Sequence, residues 1–158
     1  MIIRKIKAGD DASLALIIRG CLEEFNAVKQ GTVYFDDATD HLHAVFRTKR
    51  SAYFVVEIDG EVCGGAGFFP TDGLPPKTCE LVKMYLSPKA RGKGIGKLLL
   101  QKCFDEAKNN EFSTMYLESL PELVNAIAMY EKSGFAYIDK SIGNSGHSGC
   151  DVFMVKEL

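Results

Sequence analysis

Apolar positions in this chain switch repeatedly between a two-residue and a 3.6-residue rhythm, and the switches mark out its elements. Met1 to Lys7, with Ile2, Ile3 and Ile6, reads as a strand. A helix follows, capped by Asp10 or Asp11 and running to about Val28. Its stripe is Leu14, Ile17, Ile18, Cys21, Leu22 and Phe25. A short second helix is expected over Asp37 to Phe46. Ala52 to Ile58 and Glu61 to Phe69 read as a hairpin around the turn Asp59-Gly60. Gly64, Gly65 and Gly67 predict a bulge or a close approach by a ligand in the return strand. After the loop Pro70 to Pro76, Thr78 to Leu86 forms a strand that ends at Ser87-Pro88. Strict alternation puts Glu80, Val82, Met84 and Leu86 on one of its faces.

The second half repeats the switch. A helix from about Lys93 to Asn109 carries Ile95, Leu98, Leu99, Cys103, Phe104 and Ala107 inward. Ser113 to Ser119 is a strand. Pro121 sits near the first turn of a helix that reaches Lys132, and Gly134 stops it. Ala136 to Lys140 and Cys150 to Lys156 are the last strands. A central β-α-β unit implies parallel pairing, and the hairpins imply antiparallel pairing elsewhere. The expected fold is α/β (α+β), with a mixed central sheet of about seven strands and helices on both faces. Residues 1–158 read as a single domain.

Composition narrows the function. The 158 residues are 46% hydrophobic and 25% charged, with a formal net charge of -2. General nucleic-acid binding favours basic domains, so no nucleic-acid partner is expected. The cluster Lys89, Arg91, Lys93 and Lys97 can still hold a small anion. Charges by the fourth residue leave no signal-peptide core, and no apolar run approaches membrane-spanning length. Cys21, Cys63, Cys79, Cys103 and Cys150 form no C-x-x-C pair and no metal-ligand spacing, so no metal is expected. Reduced cysteines in the cytoplasm follow. Cys150 stands apart because it follows the Gly/Ser-rich stretch 143–149.

The densest chemistry lies in Arg91-Gly92-Lys93-Gly94-Ile95-Gly96-Lys97, between a strand and a helix. No Ser, Thr, Asp or Asn caps that helix, so its first N–H groups and dipole are open to an anion. A P-loop would need G-x-x-x-x-G-K-[ST], but Leu98 follows Lys97 and Arg91 stands five before Gly96. A dinucleotide fingerprint would need its third glycine one residue later. What fits is R-x-x-G-x-G, read as Arg91, Gly94 and Gly96. A second element agrees: Ala126, Tyr130 and Gly134-Phe135 match A-x-x-x-Y-x-x-x-G-F. In these two signatures, their order and their spacing, the chain resembles the GNAT acetyltransferase superfamily.

The resemblance implies an acetyl-CoA-dependent N-acetyltransferase. Arg91, Gly92, Lys93, Gly94, Ile95, Gly96 and Lys97 would wrap the pyrophosphate. The backbone of Met84 and Leu86 would pair with the pantetheine arm. Tyr130 would be the acid beside the CoA sulfur, although its stripe with Leu123 and Ala126/Ile127 also suits a core aromatic. Glu80, eleven residues before Arg91 like the catalytic glutamate of histone acetyltransferases in the superfamily, would be the base. A water relay or a merely exposed acid is the alternative there. Many members carry an asparagine seven residues before the tyrosine; here that position is Leu123, and Asn125 does not inherit the role. For the acceptor, the first helix and the following loop supply Glu23, Glu24, Phe25, Asn26, Tyr34, Asp36 and Asp37. Glu118 and His147 are further candidates. A negative pocket suits a cationic amine. The expected reaction is direct transfer from acetyl-CoA to a primary amine of a small molecule or peptide, in a ternary complex. Alternatives are a non-catalytic acyl-CoA-binding sensor and a ping-pong route through Cys150 or Cys79. A homodimer is left open.

Overall fold

The computed structural model describes residues 1–158. Seven strands form one sheet: β1 (Ile2–Lys5), β2 (Ala52–Ile58), β3 (Glu61–Phe69), β4 (Thr78–Leu86), β5 (Thr114–Ser119), β6 (Ala136–Tyr137) and β7 (Val152–Glu157). Their spatial order is β1-β2-β3-β4-β5-β7-β6. Only β4 and β5 run parallel. The crossover between them is α3 (Ile95–Asn109), as a parallel pair requires. The other helices are α1 (Asp11–Glu24), α2 (Leu42–Val45) and α4 (Val124–Lys132).

The sheet has two apolar faces, each covered by helices. Leu14, Ile18 and Leu22 of α1 and Leu42 of α2 pack on Tyr53 and Val55 of β2. Ile95, Leu99, Leu100 and Cys103 of α3, with Tyr130 of α4, pack on the opposite side against Phe54, Val56, Ala66 and Phe68. Leu99 and Leu100 are at most 1% exposed. Each such buried leucine contributes roughly 1.5–3 kcal/mol.

The hairpin strands have the expected limits, and Asp59 (φ 54°) with Gly60 (φ 81°) makes the left-handed two-residue turn between them. Several other expectations need correction. Asp10 does not cap α1; its carboxylate is bound by Arg4 at 2.7 and 2.9 Å and by the Lys7 N–H at 2.7 Å. The helix stops at Glu24 because Asn26 turns left-handed (φ 53°) and the Ala27 N–H reaches back to the Leu22 carbonyl at 2.7 Å. The second helix splits into a 3-10 turn, Asp37–Asp40, and the short α2. Strand β6 is two residues long, and α4 begins at Val124 because Leu123 (ψ 52°) lies outside helical space.

The correction that shapes the site is in β4. Gly65 faces Tyr85 while Gly67 faces Val82, so β4 carries one extra residue there. Lys83 absorbs it at φ 50°. The alternation therefore breaks: Val82 packs toward the α1 face, whereas Met84 and Leu86 pack toward the α3 face. Glu80, Val82, Met84 and Leu86 do not share one face. Pairing with β5 also ends at Leu81↔Leu117. Beyond that point the two parallel strands separate and a cleft opens between them.

Candidate active site

The cleft is a cavity of about 930 Å³. Its walls are Glu80–Leu86 of β4, Leu117–Leu120 at the end of β5, the loop from Ala90 into α3, and α4 with Tyr130. Sequence order placed the glycine loop and Tyr130 far apart; the splay of β4 from β5 brings them onto one cavity.

At one end lies the glycine loop. Gly94 sits at the N-cap of α3 at φ 75°, and no side chain caps the helix. Gly92 is also left-handed, at φ 71°, and space around both is open. Gly96 is glycine for another reason: a Cβ there would lie 3.1 Å from the Met129 sulfur. Uncapped N–H groups, Lys97 and open backbone fit a diphosphate. Arg91 behaves differently from a simple phosphate ligand. Its Nε donates to the Leu86 carbonyl at 2.8 Å, and its Nη groups reach Glu24 at 2.7 Å and the Cys21 sulfur at 3.1 Å. Its guanidinium stacks over Phe25 at 5.0 Å. Glu24 and Phe25 thus anchor Arg91. Lys93 Nζ donates to the Lys89 carbonyl at 2.9 Å.

The Ser87 N–H donates to Cys63 on β3 at 2.9 Å. Backbone alternation then turns Leu86 and Met84 toward the cleft. The Leu86 carbonyl is held by Arg91 and by the Cys21 thiol at 3.4 Å.

At the other end stands a polar cluster. Glu80 is 3% exposed, and burial pushes its carboxyl up to about 7, against the opposing bond from Thr71 Oγ1 at 2.5 Å. Glu118 accepts the Tyr116 hydroxyl on Oε1 and the Ser145 hydroxyl on Oε2, each at 2.8 Å. Acceptor atoms of Glu80, Glu118 and His147 lie within 4.8 Å of one another, close enough to share one cation. His147 is fixed by Asp36, 3.2 Å from its Nε2. His147, then the Lys83 ammonium at 2.8 Å, hold the Asp36 carboxyl well below its ordinary range. Lys83 is fixed a second time, by the Tyr53 hydroxyl on its carbonyl at 2.8 Å. These contacts offset the strain of a left-handed lysine and keep the cleft open.

Tyr130 is 6% exposed and packs edge-on to Phe135, 5.8 Å between centroids. Burial raises its phenol, so the hydroxyl stays protonated as a hydrogen-bond donor. Cys79 lies in the core, 0% exposed. Cys150 lines the cavity, but burial pushes its thiol up to about 12, far from a thiolate.

Glu80, Tyr130, Glu118 and His147 all reach this cavity. The sequence reading missed Thr71, Lys83, Tyr116 and Ser145, and saw Asp36 only as one acid among several. Their partners lie up to 111 residues away along the chain, so no local pattern announces them.

The model of the Acetyltransferase (GNAT) family matches residues 18–135. An uncharacterized N-acetyltransferase of Escherichia coli (strain K12), YjgM, is 38% identical over 158 residues, covering 99% of this chain and 95% of its own. A GNAT-family acetyltransferase structure from Staphylococcus aureus Mu50 superposes with a TM-score of 0.87 at 17% identity, covering 99% and 98% of the two chains. YncA of Salmonella typhimurium, a putative acetyltransferase solved with its cofactor acetyl-CoA, gives 0.76 at 24%, covering 100% and 94%. With a family match over three quarters of its length and a full-length relative, the chain belongs to the GNAT family and is an N-acetyltransferase.

Proposed function

We propose that this enzyme moves an acetyl group from acetyl-CoA directly to the primary amine of a small molecule or peptide, in a ternary complex. The observation that carries this reading is that one cavity holds a diphosphate-shaped loop, Tyr130, and a buried carboxyl poised near neutrality. Residues 91–97 would seat the pyrophosphate, with Arg91 bracing β4 through Leu86. Met84 and the Leu86 N–H would meet the pantetheine arm.

The acceptor end suits an ammonium ion. A nitrogen about 2.8 Å from three acceptors at tetrahedral angles needs them about 4.6 Å apart. Glu80, Glu118 and His147 offer three acceptors within 4.8 Å. Glu80 takes one proton from the ammonium, which frees the nitrogen lone pair to form the new C–N bond. As the C–S bond breaks, its electron pair goes to sulfur. Tyr130 donates its hydrogen there and regains one from the acylated nitrogen. Overall, ammonium and thioester become amide, thiol and one proton. A buried Cys79 and a protonated Cys150 favour this route over an acyl-enzyme. The five free cysteines suit a cytoplasmic setting, and no helix is long and apolar enough to cross a membrane.

Thiol release from acetyl-CoA over a panel of polyamines, amino acids, aminoglycosides and peptides tests the reading. Amine-dependent release supports it; CoA binding with no turnover for any amine would favour a sensor.

A further inference from the structure

Two loops wall the acceptor end, and each delivers a hydroxyl to a different carboxylate. Residues 70–77, between β3 and β4, bring Thr71 to Glu80. Residues 138–151, between β6 and β7, bring Ser145 to Glu118. The loops are joined to each other: the Asn144 N–H donates to the Asp72 carbonyl at 2.8 Å. Gly73 (φ 75°) abuts Asn144, and Gly143 (φ 72°) abuts Leu74, both in the left-handed region that favours glycine. Thr71 is therefore held by a built wall and does not dangle from a free loop. It lies outside both sequence signatures.

The two carboxylates are not equivalent. Glu118 receives a hydroxyl on each oxygen. Glu80 receives one, on Oε2. Facing Glu80 are Glu118 of β5, His147 of the C-terminal loop, Lys83 of its own strand, Tyr116 and Cys150. Burial and the Glu118 charge both work against ionising Glu80; Thr71 works for it, as do His147 and Lys83.

Building on Glu80 as the base, we propose that Thr71 is a positioning residue for catalysis: its hydroxyl orients the Glu80 carboxylate and keeps it available to accept the acceptor's proton at neutral pH. Without that donor, Glu80 would stay protonated until higher pH, and the amine would enter a site with no base. A merely structural role in the loop wall would leave the titration of Glu80 in place.

The test is a ¹³C NMR titration of the full chain labelled at glutamate Cδ, with the Glu80 resonance identified by its loss in E80Q. In the wild type, Glu80 should titrate near 7. In T71V the midpoint should rise by about one unit, which is about a tenfold loss of ionised Glu80 on the acid side. T71S, which restores the hydroxyl, should return it. N144A loosens the same wall, where Asn144 Nδ2 lies 3.4 Å from Asp72 Oδ2, without touching Glu80 or Glu118, and should leave the Glu80 midpoint in place. An unmoved midpoint in T71V, or one that T71S or N144A displaces equally, would overturn the positioning role while leaving Glu80 as base. A wild-type Glu80 titrating with the ordinary glutamates would remove the base reading itself.

Discussion

Glu80 links stability to activity. Its carboxyl is raised from 4.5 to about 7 in the fold, so folding favours the protonated form. The resulting penalty is absent below about pH 4.5, grows through the window to 7, and is complete above it. Two and a half units correspond to about 3 kcal/mol. E80Q should therefore be more stable than the wild type at pH 8 by up to about 3 kcal/mol, with the gain fading at pH 5. Urea denaturation at the two pH values measures this. The same substitution should cost about 10²–10⁴-fold in kcat/KM and abolish its rise with pH near 7. Y130F should lower kcat about tenfold or more while acetyl-CoA affinity stays within about twofold; an unchanged kcat would end its role as acid. C150A should keep activity within a few-fold, because a thiol pushed up to about 12 is no nucleophile at neutral pH. That Glu80 and Tyr130 would reach the same site was legible in the sequence, because Glu80 stands eleven residues before Arg91 and Tyr130 lies within the second signature. The chain could not show that Arg91 would spend its side chain on Leu86, Glu24 and Cys21. A guanidinium beside glycines reads as a phosphate ligand until its neighbours are known.

At the scale of elements, β2, β3 and β4 begin and end where alternation and the Asp59-Gly60 turn put them. The ends of α3 and α4 fall at Asn109 and Lys132 as read, but the end of α1 was less legible, because Asn26 (φ 53°) stops it in a conformation for which glycine is the usual signal. The glycines of β3 announced a bulge, and β3 carries one between Val62 and Gly64 opposite Val56 and Glu57; the second extra residue, placed in β4 opposite Gly65 and Gly67, left no readable trace in β4 itself. A left-handed lysine is uncommon, and what secures it, Tyr53 and Asp36, comes from other elements. That one residue decides which side chains face the cavity and where β4 leaves β5. The start of α3 offers a test. In G94A, the position at φ 75° should cost about 1 kcal/mol of stability. Acetyl-CoA binding should weaken about tenfold by calorimetry, since the loop backbone would shift from its anion-binding shape.

The whole molecule is a sheet whose only parallel pair separates halfway, with a cation-bearing loop at one end of the gap and carboxylates at the other. The net charge of -2 says little about this, since the two ends oppose each other within one cavity. The mixed seven-stranded architecture was readable from the order of elements. The joining of loops 70–77 and 138–151 over the acceptor end was not, because Gly- and Pro-rich segments carry no periodicity that would pair them. The most direct measurement of the central claim is a reaction with acetyl-CoA and each amine of the panel. Thiol release is followed together with mass spectrometry of both product and protein. Direct transfer predicts one N-acetylated amine per thiol released and no acetyl group on any cysteine. CoA binding without turnover, or an acetylated Cys150 that forms and decays with turnover, would contradict it.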